Sequence, residues 1–233
     1  MNTNSNTYTI GYASIVVIIV AFLLAFVSKV LEPQSLANER IDKKKQILAA
    51  LNIRGVDNAN VEEEYAKYVM ADAILSIDGS VKNEGKDKDL AGFLVQTKDI
   101  TDENLPLYIC SVNGETKYVI PLSGKGLWGA IWGYIALNAD KNTVYGAYFS
   151  HQSETAGLGA RITEEAFQNE FKEKKIREEN SSNIKLTVAK FGKVSNTTFE
   201  CDGISGATLT MNGITAMFRD CLAKYISFLT AID

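Results

Sequence analysis

The amino-terminal segment has a distribution of apolar residues unlike that of the rest of the chain. Residues 1–28 contain no charged side chain, and within them Ile10–Val27 is an almost unbroken apolar run, interrupted only by Gly11 and Ser14. At ~1.5 Å of rise per residue, the 18 residues of this run would cover roughly 27 Å as a helix, close to the hydrocarbon thickness of a bilayer. The pattern predicts a transmembrane helix, and residues 1–30 are assigned to a membrane anchor.

Two other interpretations of this segment are weaker. A cleaved signal peptide normally begins with a basic residue and ends at a small-x-small site, whereas no Lys or Arg precedes Ile10 and Ser28-Lys29-Val30 is a poor site. A buried core helix would show a polar face, which the run lacks. Basic residues such as Lys29 and Arg40 follow the run, so the positive-inside bias alone favours a cytoplasmic domain.

The segment after the anchor predicts helices and then a strand. Leu36–Leu51 has apolar residues spaced among charges, with Gly55 positioned to end the helix, and Val61–Ala73 predicts a second, acidic helix. A strand is expected at Ile74–Val81, followed by a polar surface loop at residues 83–89.

From Leu105 onward the pattern becomes that of β-strands. Asn113-Gly114 separates two apolar segments and is a strong hairpin signal. The pattern predicts strands at Leu107–Val112, Thr116–Leu122, Ala130–Leu137, Thr143–Ser150 and Ile184–Val188, and a helix at Thr163–Ile176.

The carboxy-terminal segment has the clearest helical pattern. Apolar residues from Ile214 to Leu229 recur at intervals of three and four, the stripe of an amphipathic helix that packs on a core. A buried position in this stripe accounts for Cys221. The elements together predict an α+β fold: an N-terminal transmembrane helix, a helical stalk or linker at residues 31–60, and one domain at residues 61–233 with a mostly antiparallel sheet and flanking helices.

Composition and charge exclude several classes of function. The formal net charge of −4 and the lack of a basic cluster argue against nucleic-acid binding. Cys110, Cys201 and Cys221 are widely spaced, and His151 is the only histidine. Neither a metal site nor a Ser-His-Asp arrangement built from this chain is therefore expected.

The segment Asp202–Thr208, D-G-I-S-G-A-T, lies just before the predicted terminal helix. Its small residues let the backbone turn tightly, and the helix start offers free N–H groups and a positive dipole end that suit a phosphate. Ser205, Thr208 and Thr210 supply hydroxyls, and Asp202 supplies a carboxylate able to bind a metal ion. An ordinary helix cap with a glycine turn is the alternative.

Two further segments contain candidate ligand-binding residues. Pro121–Gly129 is a glycine-rich loop between strands that presents Leu127 and Trp128, and it could form a stacking wall for a planar ring. Burial of the tryptophan in the core is the alternative. Ser153–Gly159, S-E-T-A-G-L-G, follows the only histidine and has polar side chains at a bend, for which a plain surface turn is the alternative.

The order of the three motifs, G-K-G-L-W, then E-T-A-G-L-G, then D-G-I-S-G-A-T, resembles the FMN-binding domain of the C subunit of the Na+-translocating NADH:quinone reductase. The resemblance covers the anchor and most of residues 105–230. It implies that a dedicated flavin transferase esterifies Thr208 to the phosphate of FMN, and that Asp202 is needed for recognition or metal-assisted transfer. The cofactor-binding residues that it implies are Thr208, Ser205, Gly206, Ala207, Asp202, Leu127, Trp128, Glu154, Thr155, Leu158 and Gly159.

The resemblance also implies an electron-carrier protein with no catalytic residues of its own, assembled with other membrane subunits in a bacterial inner membrane. The family's flavin domain lies on the outer, periplasmic side, opposite to the side that the charge bias favours. Leu127, Trp128, Thr155 and Leu158 would line the isoalloxazine. Ala156 is a departure, because the family usually has proline at that position.

Three alternative functions stay open at this point. The flavoprotein subunit of an Rnf-type ferredoxin-dependent complex shares the S-G-A-T motif, although G-K-G-L-W with E-T-A-G-L-G favours the quinone reductase. A non-redox, membrane-tethered binding or sensor domain would use S-G-A-T only as a helix cap. A stand-alone flavin reductase would need a nicotinamide-binding fingerprint such as G-x-G-x-x-G at the start of a helix, and none of the predicted helices begins with one.

Overall fold

The computed structural model describes residues 5–84, 91–96, 99–179 and 181–231. The chain divides into two compact units, Met1–Lys43 and Lys44–Asp233. The second unit includes residues 44–60, which the sequence pattern assigned to a stalk or linker. Ile47 and Leu48 explain this difference, since both are fully buried in an apolar cluster of the second unit.

The amino-terminal helix, α1 (Asn6–Ala50), is continuous and includes both the predicted anchor and the helix expected to begin at Leu36. Pro33 lies inside α1 without ending it, although proline has no backbone N–H and so cannot donate a helix hydrogen bond at this position. The helix is long and apolar enough to cross a membrane, and none of its apolar window is buried. The predicted apolar amino-terminal helix is confirmed.

An antiparallel sheet forms the framework of the domain, as predicted. Its strands are β1 (Val69–Leu75), β2 (Val81–Glu84), β3 (Leu105–Val112), β4 (Glu115–Lys125), β5 (Ala130–Leu137) and β6 (Val144–His151). They pair in the order β2-β1-β3-β4-β5-β6. Asn113 and Gly114 form the turn between β3 and β4 with φ of 54° and 82°, the positive values that a type I′ hairpin turn requires.

Shorter elements flank the sheet in the described part of the chain. The helices are α2 (Val61–Tyr68), α3 (Glu165–Asn169), α4 (Thr208–Leu222) and α5 (Ile226–Thr230). Two short strands, β7 (Thr187–Val188) and β8 (Glu200–Cys201), form a separate parallel pair. Single 3₁₀ turns occur at Asn58–Asn60, Gly92–Leu94, Gly159–Thr163 and Ala223–Tyr225.

The sheet separates two apolar cores. On one face, Ile135 and Phe149 belong to a large cluster that also contains Phe218 of α4. On the other face, Ile47 from the end of α1 and Tyr65 of α2 belong to a second cluster. Both cores are buried because each strand directs alternate side chains to opposite faces of the sheet.

Two predicted helices are shorter in the structure. The acidic helix ends at Tyr68, because residues from Val69 onward pair with β3 as a strand. The helix predicted at Thr163–Ile176 is reduced to α3. Glu173 has a φ of 63°, and its N–H donates to the carbonyl of Val144, so this segment follows the sheet edge instead of continuing the helix.

Three predicted segments are divided or shortened. The strand predicted at Ile74–Val81 is interrupted by a turn at Gly79, whose φ is 85°, and so contributes to both β1 and β2. The strand predicted at Ile184–Val188 is reduced to β7, and the stripe from Ile214 to Leu229 extends over α4, a 3₁₀ turn and α5. The loop expected at residues 83–89 lies mostly outside the described residues.

Replacing Phe149 by alanine is expected to lower the free energy of unfolding by about 3–5 kcal/mol. Phe149 is fully buried, and its ring lies 5.1 Å from that of Phe171 and 5.8 Å from that of Phe218. Phe191→Ala is the matched control, because Phe191 is 62% exposed and its loss should change stability by no more than about 0.5 kcal/mol. Denaturant unfolding of both variants tests this, and equal losses would contradict the assignment of the core.

Candidate functional site

The three motifs singled out in the sequence meet at one cavity beside the start of α4. The cavity has a volume of about 120 Å³. Its walls come from the loop between β4 and β5, the loop after β6, and the segment that enters α4. The lining residues are Leu127, Glu154, Thr155, Leu158, Gly159, Gly206, Ala207, Thr208, Leu209 and Thr210.

The start of α4 supplies the polar end of this cavity. Thr208 is the first residue of the helix, and the preceding residue, Ala207, makes no side-chain cap. The first N–H groups of an α-helix have no partner within the helix, and the helix dipole makes this end positive. Gly206 has a φ of 77°, a conformation that glycine adopts at little cost, and this turn directs the chain into α4. The site is therefore suited to an anion.

Glu154 connects all three walls through its carboxylate. Oε1 accepts a hydrogen bond from the N–H of Trp128 at 2.9 Å, and Oε2 accepts one from the hydroxyl of Thr210 at 2.5 Å. The N–H of Glu154 donates to Nδ1 of His151 at 3.2 Å. The residue is only 7% exposed. A buried carboxylate is stable only when such donors replace water, so these bonds fix the relative positions of the two loops and α4.

The electrostatics of Glu154 follow from the same contacts. Burial by itself raises the pKa of the Glu154 carboxyl. Hydrogen bonds from the Thr210 hydroxyl and from the N–H groups of Trp128 and Gly129 together lower the pKa by more, so the net pKa lies below its ordinary value. The carboxylate is therefore charged at neutral pH. Both of its oxygens are engaged by the protein itself.

Gly159 shows how closely these walls approach each other. A Cβ atom at this position would lie 2.5 Å from Oγ1 of Thr210 and 2.6 Å from Oε2 of Glu154. Both distances are well below van der Waals contact, so any side chain at residue 159 would displace the hydrogen bond between Glu154 and Thr210. The close packing of the site therefore explains why the last residue of the E-T-A-G-L-G motif, Gly159, has no side chain.

Three of the residues expected at the site lie away from the cavity wall. Trp128 is 68% exposed, so the alternative that placed it in the core is wrong, and it contributes its N–H to Glu154. Ser205 is exposed. Asp202 accepts hydrogen bonds on Oδ1 from the N–H groups of Gly192 at 2.7 Å and Gly203 at 3.0 Å.

One lining residue, Leu209, was not among the expected site residues, whereas Thr210 was expected only as a hydroxyl near a phosphate. Thr210 is buried through its contact with Glu154, and Leu209 is exposed at the rim. The only available sequence signal for Leu209 was its position in the first turn of the predicted helix. The pairing of Thr210 with Glu154 joins residues that are 56 positions apart, and no local pattern encodes it.

The cysteines and acidic residues in the described part of the chain do not form a cluster of metal ligands at this site. Within the residues that the structure describes, no group of three or more His, Cys, Asp or Glu side chains could hold a metal ion. Burial raises the pKa of the Cys201 thiol to about 12 and also raises that of Cys110. Burial likewise raises the pKa of Cys221, whose thiol contacts the backbone of Ser123.

Comparisons with known proteins agree with this geometry. A family model described as an FMN-binding domain matches residues 126–223, which include most of the G-K-G-L-W motif and the whole of the other two. The crystal structure of the C subunit of the Na+-translocating NADH-quinone reductase from Parabacteroides distasonis aligns with a TM-score of 0.78 and 38% identity, over 87% of this chain and 98% of that one.

Curated relatives agree with the structural match. The C subunit of the same reductase from Haemophilus ducreyi is 29% identical over 94% of this chain and 90% of its own length. That from Chlamydia muridarum is 41% identical over 48% of this chain and 40% of its own length. The fold, the site and the family model define a membrane-anchored protein with an FMN-binding domain. Within that class, the chain belongs to the family of the C subunit of the Na+-translocating NADH-quinone reductase.

Replacing Glu154 by glutamine is expected to lower the free energy of unfolding at pH 7 by about 1–3 kcal/mol, because the charge is lost and the amide nitrogen either faces the Trp128 N–H or requires the Thr210 hydroxyl to accept instead of donate. Since the folded pKa of Glu154 is lowered, its charged form stabilises the fold above the unfolded pKa of about 4.3, and this contribution is lost as the pH falls further. The difference between wild type and Glu154→Gln should therefore narrow below about pH 4.3.

Denaturant unfolding between pH 7 and pH 3 measures this difference. Glu170→Gln is the control, because Glu170 is exposed and its substitution should have little effect at any pH. A Glu154→Gln variant as stable as wild type at pH 7 would contradict the role assigned to the carboxylate.

Proposed function

We propose that this chain is the FMN-carrying electron-transfer subunit of a Na+-translocating NADH-quinone reductase, with the flavin esterified through its phosphate to Thr208. The observation that carries the proposal is the cavity at the start of α4, where three loops distant in sequence meet beside Thr208. The FMN-binding domain match and the relatives named as the C subunit of that reductase support it.

The cavity suits the phosphate end of FMN and not the whole molecule. Its volume of about 120 Å³ is small beside the roughly 300–1,000 Å³ of pockets that enclose a drug-sized ligand. The uncapped first turn of α4 offers N–H groups to a phosphate. The flavin ring would then lie outside the cavity, where the exposed apolar side chains of Leu127, Trp128, Leu158 and Leu209 are available to it.

Attachment of the flavin requires an activated phosphate. Direct condensation of FMN with a hydroxyl in water is unfavourable, so the proposal includes a flavin transferase that uses flavin adenine dinucleotide. Oγ1 of Thr208 bonds to the flavin-side phosphorus, the phosphoanhydride P–O bond breaks, and AMP leaves while the hydroxyl proton passes to AMP or solvent. Thr208 is exposed at the cavity wall, which supports access by such an enzyme.

Bound FMN supplies the redox chemistry, receiving electrons from one partner and passing them to another. The residues of the chain hold and orient it. An ester to Thr208 prevents loss of the cofactor, and the start of α4 stabilises the single charge of the phosphodiester. Both oxygens of Glu154 are engaged by Trp128 and Thr210. No independent catalysis is expected, since a carrier needs no acid–base pair beside its cofactor.

The proposal extends to the location of the chain and its partners. The anchor would span a bacterial inner membrane once, with the flavin domain on the periplasmic side and the other membrane subunits of the reductase as neighbours. Lys29 and Arg40 after the apolar run favour the opposite orientation. Long domains, however, are translocated largely regardless of flanking charge, and the subunits of an assembly can fix the orientation of one another.

We expect that the full chain, co-expressed with a flavin transferase and exported, gains the mass of one FMN less one water on the tryptic peptide that contains Thr208. Thr208→Ala should remove this mass completely, because no hydroxyl is left at the first position of α4. Thr197→Ala is the matched control, since Thr197 is also an exposed threonine. Intact-mass analysis with peptide mapping provides the measurement.

The two outcomes of this experiment distinguish two functions. Modification of wild type and of Thr197→Ala, but not of Thr208→Ala, supports the covalent flavin carrier. An unmodified wild-type chain under these conditions would instead favour a non-redox, membrane-tethered binding domain in which S-G-A-T only forms a helix start.

A further inference from the structure

Helix α4 presents one face to the hairpin formed by β4 and β5 and to the loop after β6. Thr210, Gly213 and Met217 are spaced by three and four residues, so they lie on the same side of the helix. The hydroxyl of Thr210 donates to Glu154 at 2.5 Å. At the other end of this face, a Cβ on Gly124 would lie 2.8 Å from Cβ of Met217. The middle position of the face is therefore a glycine between two close contacts.

Gly213 lies against the backbone of β4 itself. A Cβ atom on Gly213 would be 2.5 Å from the carbonyl oxygen of Lys125 and 3.3 Å from Cα of Gly126. Contacts between carbon and carbonyl oxygen are favourable at about 3.3–3.6 Å, so an alanine here would force the helix and the hairpin apart by about 1 Å. The groups that it would meet belong to the backbone, and no side chain can rotate away to make room.

This close approach gives a reason for a glycine inside a helix. Glycine is the poorest helix former after proline, and Gly213 lies in the interior of α4. Its φ is not positive, so the backbone conformation itself does not require glycine. The packing of α4 on the hairpin does require it.

The hairpin tip between β4 and β5 is a tight turn, in which the N–H of Gly126 donates to the carbonyl of Gly129 at 2.8 Å. Leu127 and Trp128 form the tip, and their side chains are 43% and 68% exposed. The N–H of Trp128 donates to Glu154 at 2.9 Å. Because Glu154 also accepts a bond from α4, the tip and the helix are held in one relative position.

We propose that Gly213 is a positioning residue for the flavin ring. Its contact with the backbone of Lys125 sets the distance between the start of α4 and the hairpin tip. A ribityl chain of limited length joins the phosphate of FMN to its ring, so a flavin attached to Thr208 can stack on Trp128 only if these two points are held at a suitable distance. The inference rests on the proposed function and adds to it the contact that aligns the ring with the tip.

A positioning role and a purely structural role predict different behaviour for Gly213→Ala. Thr208 stays exposed at the start of the helix in either case, so the flavin should still be attached. A structural role would change only the melting temperature. A positioning role would also reduce the contact between the ring and Trp128, and this contact is visible because an indole stacked on an excited flavin quenches its fluorescence by electron transfer.

The test uses the full chain, co-expressed with a flavin transferase, exported, and purified in detergent with its flavin attached. Time-resolved flavin fluorescence gives the ratio of short-lived, stacked rings to long-lived, unstacked rings. Gly213→Ala should lower this ratio roughly twofold to tenfold, the range that corresponds to one aromatic contact. The mass of FMN on the Thr208 peptide should stay complete, and Trp128→Leu gives the reference value for an unstacked ring.

Asn212→Ala is the matched control, because Asn212 is the exposed neighbour of Gly213 in α4 and its replacement also raises helix propensity. The control should keep the wild-type ratio of lifetimes. Gly124→Ala is a second test of the same face, since its methyl group would press on Met217 one turn further along the helix. It should lower the ratio as well, and it serves if Gly213→Ala does not fold.

The failures are distinguishable. A wild-type chain that gains no flavin overturns the proposed function and this inference with it. If wild type carries flavin but Trp128→Leu leaves its lifetimes unchanged, the ring does not lie on the tip, and the inference alone is wrong. A folded Gly213→Ala variant with the wild-type ratio, or an equal loss in Asn212→Ala, also contradicts it. If neither glycine variant folds, the contact serves the fold alone and the positioning role is rejected.

Discussion

The buried carboxylate of Glu154 is the interaction on which the arrangement of the site depends. It accepts hydrogen bonds from Trp128 and Thr210, which belong to segments far apart in the chain. A charge removed from water needs several donors to be tolerated, so the loops around it can adopt few alternative positions. Thr208 is two residues before Thr210, and its place at the cavity wall follows from that constraint.

The sheet brings those segments to a common end of the domain. β4 and β5 pair from Tyr118↔Leu137 to Lys125↔Ala130, so their connecting loop emerges at one edge of the ladder. β6 runs antiparallel to β5 and ends at His151, opposite Ile131, so its following loop emerges at the same edge. Helix α4 lies on β4, where a Cβ on Gly124 would come within 2.8 Å of Met217. Regular strand pairing therefore brings the two loops to one edge, and the turn at Gly206, with its positive φ, directs the third segment into α4.

Local sequence signals predicted part of this arrangement correctly. The strand Ala130–Leu137 has the predicted bounds, because an apolar segment between turn residues is a local property. The three motifs also contribute residues to one cavity. Tertiary contacts decided the rest: Glu173 follows β6 instead of a helix, and Thr210 pairs with Glu154 across 56 residues. The glycine-rich loop drew attention to Trp128, whereas no sequence signal pointed to Leu209 beyond its place in the first turn of the helix.

The buried thiols bear on the proposed periplasmic location of the domain. A raised pKa leaves Cys110 and Cys201 as thiols, and thiols react with oxidants and disulfides far more slowly than thiolates do. A domain exported into an oxidising compartment with an odd number of cysteines can be trapped by wrong crosslinks. On the proposed periplasmic location, that hazard for Cys110 and Cys201 would be largely confined to the interval before folding is complete. Fast folding after export would then protect these two thiols without any disulfide partner.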